Sequence, residues 1–449
     1  MALTKLTTKS ITGDTLEAGD LAANSEDSSE LVDGSIDTSH IGALQVTGAK
    51  LNTDVISAQT ALGATPADTD ELLVSDAGVL KRVDYSHLKG ITAANFRPNA
   101  NPFIINGNMQ VAQRGTSVTG VTSGGYRTCD RFEMRMTGFG TWTVTQEALT
   151  AGEAFEDGFT TAFKLDNTTA DASLGAGDYG RIHYAIEAQD CQQFKLGNSG
   201  SATFTLGFWV KATKTGTNVV AMVRTDADRM CCQSYTISSS NTWEYKVLNF
   251  PADTSGGVVN NDNGEGLEID WWTGSGTTHT SGTLQTTWAA KVNANRAVGQ
   301  VNHADSTSNN FHLTGVQLEM GTYTSSNMPP FQHESYGDNI FRCKRYCQSF
   351  GGSNAVHMMT AMCYSASDAI STLPFNPYMR STASITTTAS GGWSVLETGE
   401  GWSTMSTTSF DTMSNESGRI YLQGGSHTAG SAVALKINAS NTVIADAEL

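Results

Sequence analysis

The chain has 449 residues, with 45 Gly against only 8 Pro, and 44 acidic against 27 basic side chains for a net charge of −17. That balance excludes a broad phosphate-binding surface. The paucity of helix formers beside abundant Gly, Ser and Thr excludes an α-rich protein and points to many short strands with tight turns. No run of about 18 apolar residues marks a membrane-spanning helix, and the opening MALTKLTTKS lacks the apolar stretch of a signal peptide.

Residues 1–95 carry 14 acids, 6 bases and a single aromatic, Tyr85, too little bulk for an independent core. They do carry a repeat. Leu6, Ile11, Leu16, Leu21, Leu31, Ile36, Ile41, Val46, Leu51 and Ile56 fall five apart, with Glu26 alone breaking the series. Period five is neither helix nor strand, and the intervening Gly, Ser, Thr, Asp and Asn are turn formers. Each unit therefore reads as one extended rung and one bend, which must stack to bury its aliphatic. A small-coil β-solenoid and an intertwined homotrimeric shaft both satisfy this, with Leu31, Ile36, Ile41, Val46, Leu51 and Ile56 as the packing positions.

ELLVSDAGVLKRVDYSHLKG (71–90) then predicts two strands, Leu72–Val74 and Val79–Val83, about an Asp76-Ala77-Gly78 turn. Asp84 can cap a short helical turn after them. Residues 61–100 form this small adaptor and a linker. From 101 the aromatics return. GRIHYAIEA, FTLGFWVKA, NVVAMVRTD, TWEYKVLNFPAD, GLEIDWWTG and FHLTGVQLEM read as strands. Without long helices between them, they predict a sandwich or jelly roll over 101–335. In the last strand the apolar parity slips after Gly315, the mark of a bulge. Asp338 can cap a connector over 336–350, with Ile340 and Phe341 inward and Arg342 and Arg345 outward. Residues 351–449 make a C-terminal β domain.

The order NPFIINGNMQVAQRGTS, YRTCDRFEM, FWVKA, TWEYKVLNFPADTSGG, FHLTGVQLEMG and FRCKRYCQSF (101–350) resembles the jelly-roll module of bacteriophage tail fibre and receptor-binding proteins. LPFNPYMRSTASIT and the terminal NTVIADAEL resemble a domain that follows this module in phage tail proteins, and the repeats of 1–60 and ELLVSDAGVLKRVDY resemble the N-terminal parts of fibres from phages of marine bacteria. The chain departs from the pattern at Cys347 and Ser381. The resemblance implies an all-β homotrimeric fibre of the virion tail, synthesised in the host cytoplasm. It would attach to tail adaptor or nozzle proteins through its N-terminal region and adsorb to host surface polysaccharide or an outer-membrane receptor, with 351–449 as the tip. A polysaccharide-cleaving tail spike and a purely structural tail protein are the alternatives.

Chemistry-bearing patterns are sparse. Glycoside hydrolysis needs two carboxylates about 5–9.5 Å apart. Glu268 and Asp270 share a strand face, but such spacing is common on strands, and a solvated face is the simpler expectation. The NNDNGEG loop (260–266) is oxygen-rich without EF-hand spacing. GxSxG, HExxH and Walker patterns are absent. Seven cysteines, at 129, 191, 231, 232, 343, 347 and 363, are odd in number and have no zinc spacing, so free thiols are expected. No catalytic, cofactor or metal residue is assigned, and neither nucleic acid nor membrane is an expected partner. Exposed aromatics are then the candidate glycan contacts: one of the adjacent Trp271 and Trp272, and Trp393 and Trp402 in a Gly/Ser-rich stretch. Trp142, Trp209 and Trp243 read as packing.

Overall fold

The computed structural model describes residues 60–64, 66–88, 101–389, 391–399 and 401–449, with Ile41, Val46 and Ala58 as isolated positions. Of the repeat, Leu31, Ile36, Leu51 and Ile56 lie outside the described residues. Ile41 and Val46 are 47% and 55% exposed in the single chain.

The chain forms two units. In the first, β1 (Glu71–Asp76) pairs antiparallel with β2 (Val79–Asp84), Glu71 opposite Asp84. Ala77 and Gly78 both take positive φ, 50° and 85°, the two-residue turn whose twist matches that of the flanking strands. A helical turn follows at 85–88. Leu72, Leu73, Val74 and Val79 are exposed.

The second unit opens with a two-sheet antiparallel sandwich. Its strands are β3 (Ser117–Val121), β4 (Gly125–Tyr126), β5 (Glu133–Thr137), β6 (Thr141–Ala148), β7 (Thr161–Thr169), β8 (Tyr179–Glu187), β9 (Phe204–Ala212), β10 (Gly216–Arg224), β11 (Arg229–Ile237), β12 (Glu244–Phe250), β13 (Glu265–Ser275), β14 (Ala289–Ala290) and β15 (Asn310–Met320). One sheet has the order β14-β11-β10-β13-β8-β5-β4 and the other β12-β9-β15-β7-β6-β3. Alternation builds the core: Phe204, Leu206, Phe208 and Val210 of β9 all face it, against Ile182, Tyr184, Ile269 and Trp271. The parity slip in β15 is a bulge. Thr314 pairs with Trp209 and Gln317 with Gly207, so two residues oppose one. Gly315 takes φ 60° there, and a Cβ on it would lie 2.8 Å from the Phe159 ring.

The outer face of the β13 sheet is covered as well. The long excursion between β13 and β15 lays Ala297 and Leu284 on Val219, Ala221, Val223 and Trp272. The guanidiniums of Arg181 and Arg296 lie 5.4 and 5.3 Å from the Trp272 ring centroid.

After the sandwich comes a helix, Tyr336–Cys343, whose N-cap is Ser335: its hydroxyl accepts from the Asp338 N–H at 3.1 Å. Asp338 thus stands in the first turn, where its charge favours the helix, and the capping side chain is the serine. The remaining strands are β16 (Cys347–Gly352), β17 (Val356–Cys363), β18 (Asp368–Pro374), β19 (Ser384–Thr387), β20 (Trp393–Leu396), β21 (Trp402–Thr404), β22 (Thr407–Asp411), β23 (Ser417–Gln423), β24 (Ala432–Ile437) and β25 (Asn441–Asp446). They form sheets β16-β25-β19 and β21-β20-β24-β17-β18-β23-β22 around a second core that includes Leu373, Trp393, Ile420, Leu435 and Val443.

Candidate functional site

The motif residues scattered along the sequence converge on the joint between the two cores. Asn106 bonds the Val111 carbonyl and N–H and the Asp130 carbonyl, each at 2.9 Å. Gly107 lies against β15 so closely that a Cβ there would fall 2.1 Å from the Val316 carbonyl oxygen. Asn339 reaches from the helix to Asn108 at 3.1 Å. Gln113 donates to Asp130 and to the Cys347 carbonyl, both at 2.6 Å.

The chain's last residues return to this knot. Glu448 pairs with Arg131 and, at 3.3 Å, with Arg114, which also holds Asp446 at 2.8 Å. Arg131 stacks over Tyr346, 3.5 Å from its centroid, and donates to the Ala185 carbonyl. Arg345 forks onto Glu187 at 2.7 and 2.8 Å. Arg380 bonds the carbonyls of Asn263, Ala447 and Glu448, so the oxygen-rich 260–266 loop serves partly as a contact between the two cores. Burial pushes the Asp130 carboxyl up to about 6 against the pull of Arg114 and Gln113. Burial works the same way on Glu187, but the bonds from Arg345 and Tyr346 outweigh it and hold that carboxyl below its ordinary range. A low-dielectric ion network of this kind is costly to break at one member. The densest stretch of the sequence is thus the fastening between two β bodies.

Beside the knot opens a cleft of about 390 Å³, within the usual range for small-ligand sites. Phe341 from the helix and Tyr378 from the C-terminal domain stand at it, 54% and 59% exposed. Gln189, Asp190 and Gln193, all exposed, come from the 3₁₀ segment after β8, and Arg342 and Arg345 complete the wall. Burial and the neighbouring Glu187 raise the Asp190 carboxyl. The sequence expectation placed Phe341 inward and Arg345 outward. The helix is rotated from that: Asn339 and Cys343 take the buried face because Asn339 satisfies the 106–108 loop. Phe341 is left in the open, and Arg345 is drawn to Glu187.

A second cleft, about 470 Å³, lies in the C-terminal domain between Glu397, Trp402, Ser403, Ser426, His427 and Thr428. Trp402 is half-buried, with the Lys436 ammonium 4.0 Å from its ring centroid and the His357 ring edge-on.

Of the four tryptophans singled out from the sequence, only Trp402 keeps accessible surface of note. Trp271, Trp272 and Trp393 are fully buried. The adjacent pair does point to opposite faces of β13, but the β13–β15 excursion roofs the outer one. Trp393 is internal because β20 lies between β24 and β21 in the C-terminal core. None of the three can stack on a ligand in this conformation.

Glu268 and Asp270 do share a face, with His183. Asp270 is fully buried and receives Arg181 at 3.1 Å, Arg296 at 2.9 Å and the Nδ1–H of His183 at 2.8 Å. Those partners hold it far below the carboxylate range despite burial, whereas burial and the Asp270 charge raise Glu268. The divergence is that of an acid–base pair. With Asp270 sealed beneath its guanidiniums, however, the geometry is that of an internal ion network.

All seven cysteines are buried and free. Burial raises the thiols of Cys129, Cys191, Cys231 and Cys232, the last two to about 12, so these four are poor nucleophiles. Sequence reading missed Phe341 and Tyr378. Their only signals are an apolar residue on a polar helix face and an aromatic within the Pro-rich LPFNPYM.

No protein-family model matches the chain, and no curated protein does. Among solved structures, the enzymatically active domain of bacteriophage CBA120 tailspike protein 4 aligns at 15% identity and TM-score 0.25, covering 49% of this chain and 21% of that one. TmCBM61, solved with β-1,4-galactotriose, aligns at 7% identity and TM-score 0.24 over 49% of this chain and all of that one. The family 11 carbohydrate-binding module of Lic26A-Cel5E from Clostridium thermocellum aligns at 9% and 0.21, covering 51% and 99%. This chain thus spans about a fifth of the tailspike domain's length, and likenesses of this size carry no function to it.

Proposed function

We propose that the chain is a bacteriophage tail fibre protein whose folded body binds a glycan of the host surface through the cleft beside the joint. The observation that carries the reading is the pair Phe341 and Tyr378, solvent-exposed on two different bodies at one cleft that also presents Gln189, Gln193 and Asp190. A pyranose offers an apolar C–H face and a rim of hydroxyls. It is met by aromatic rings for the first and by side-chain amides and carboxylates, which donate and accept, for the second. Burying two large rings in the core would have been favourable by about 1.5–3 kcal/mol each, so leaving both in water at a cleft favours recognition over packing.

The tail assignment is supported by the ordered motifs of 101–350 and the period-five repeat before them. A homotrimer would triple a weak sugar site and raise avidity without any new contact, and the N-terminal region would join it to the tail. Purified full-length protein incubated with extracted host surface polysaccharide tests the reading: retention on the polysaccharide without new reducing ends is expected. No retention removes the glycan reading, while new reducing ends make the chain a depolymerising spike. Light scattering in the same sample tests the trimer, which a monomeric mass refutes.

A further inference from the structure

The C-terminal domain brings together three metal-ligand side chains. Cys363 ends β17, Glu397 follows β20, and His427 lies in the loop between β23 and β24. One donor atom from each falls within 4.8 Å of the other two. Main-chain bonds set the three in place. The Cys363 N–H donates to the Ser431 carbonyl and its carbonyl accepts from Gly430, both at 2.8 Å, and the His427 N–H donates to the Ala366 carbonyl at 2.9 Å. The Glu397 carboxylate accepts from the Thr428 N–H at 3.0 Å. The Cys363 side chain is buried, and the Nε2 of His427 is shielded from water without a hydrogen-bond partner. A buried imidazole nitrogen left unsatisfied costs free energy and calls for an explanation.

A second such cluster among the described residues differs in its surroundings. His183, Glu268 and Asp270 also converge, but Arg181 and Arg296 already neutralise Asp270, and two guanidiniums would repel a cation. Around Glu397 no ion pair with Lys or Arg occurs among the described residues. The 470 Å³ cleft with Trp402, Ser426 and Thr428 adjoins the cluster.

We propose that Cys363, Glu397 and His427 bind one Zn²⁺-class divalent ion, with the fourth coordination position opening on the Trp402 cleft. A thiolate, an imidazole nitrogen and a carboxylate oxygen are the donors that such an ion prefers, and three protein ligands plus one open position is the arrangement of a site that keeps an exchangeable ligand. On binding, the Cys363 thiol gives its proton to solvent and its sulfur becomes the ligand. The ion would fasten the ends of β17 and β20 to the loop before β24. No sequence spacing announces it, because the three donors come from three separate connections.

Chelator-stripped full-length protein, titrated with Zn²⁺ under reducing conditions, is expected to take up one ion per chain. Titration with Co²⁺ is expected to give a near-ultraviolet thiolate-to-cobalt charge-transfer band. Cys363→Ser should abolish that band, and Cys363→Ser or His427→Gln should each weaken binding at least about a hundredfold, beyond what loss of an outer-shell partner produces. Glu268→Gln should leave uptake unchanged. Absence of stoichiometric uptake, a cobalt complex without the thiolate band, or wild-type affinity in His427→Gln each overturns the proposal. Should Cys363→Ser fail to fold, the wild-type cobalt spectrum and the His427→Gln titration decide it.

Discussion

Substituting Glu448 by Ala tests the joint at a buried carboxylate shared by two guanidiniums. The side chains of Glu448, Arg131 and Arg114 are 3%, 1% and 7% accessible. Without the carboxylate, Arg114 keeps Asp446 at 2.8 Å and Asp130 at 3.8 Å. Arg131 keeps only the Ala185 carbonyl and the faces of Tyr346 and Tyr184. One buried guanidinium is then left with no carboxylate in contact, a defect worth about 3–5 kcal/mol. The ring contacts and the carbonyl place it near the lower end, at about 3 kcal/mol. For a body of this size that corresponds to a fall in melting temperature of roughly 6 °C. Because Glu448 ties one core to the other, calorimetry of full-length Glu448→Ala should also resolve two transitions, one for each core. Replacing both partners, Arg131→Met with Glu448→Met, should recover most of the loss, since two apolar groups leave no orphaned charge. A single variant that melts as the wild type does, or a double variant less stable than Glu448→Ala, would refute the account of the joint.

Trp271→Ala should cost about 3–5 kcal/mol by opening a cavity in the sandwich core, lowering denaturation midpoints rather than ligand affinity in the folded fraction; an unaffected midpoint contradicts its placement. Gly107→Ala drives a methyl group into the Val316 carbonyl and should destabilise by about 2–3 kcal/mol, read as a shift in urea midpoint. Burial lowers His303 to about 3, and burial with Arg296 and Arg181 lowers His279 to about 4. Both lie below the ordinary 6.5, so the unfolded chain binds protons that the folded chain refuses, and stability rises with pH between those values and about 6.5. Melting temperature should therefore fall as pH drops from 7 to 5, partly offset by Asp130, whose carboxyl, raised to about 6, gains a proton in the folded chain over the same window, and His303→Gln should shallow that slope; identical slopes would contradict it.

Strand alternation made the sandwich legible. The Phe204–Val210 face, the β1–β2 turn and the Gly315 bulge all follow from local periodicity and backbone freedom, which the neighbours of each residue largely decide. Orientation relative to distant parts does not. Trp272 alternates out of the core as the strand period requires, yet is roofed by a segment whose covering role leaves no periodic mark. The helix over 336–343 has too few apolar residues to fix its own rotation. Asn339 fixes it by pairing with a loop more than two hundred residues earlier, which turns Phe341 to solvent. The motif residues were visible as a resemblance, but their common purpose was not, because Glu448, Arg131 and Tyr346 meet only in three dimensions. Trp402 stayed accessible for a reason the sequence does contain, a short strand among Gly and Ser.

Glycan capture at the cleft of Phe341 and Tyr378 is read out by the affinity of full-length Phe341→Ala, Tyr378→Ala and the double variant for the host polysaccharide. An aromatic contact contributes on the order of 1 kcal/mol. A loss of roughly fivefold is therefore expected for each single variant and roughly thirtyfold for the double, with melting temperatures unchanged because both rings are already solvent-exposed. A double variant that binds the polysaccharide as tightly as the wild type would contradict it.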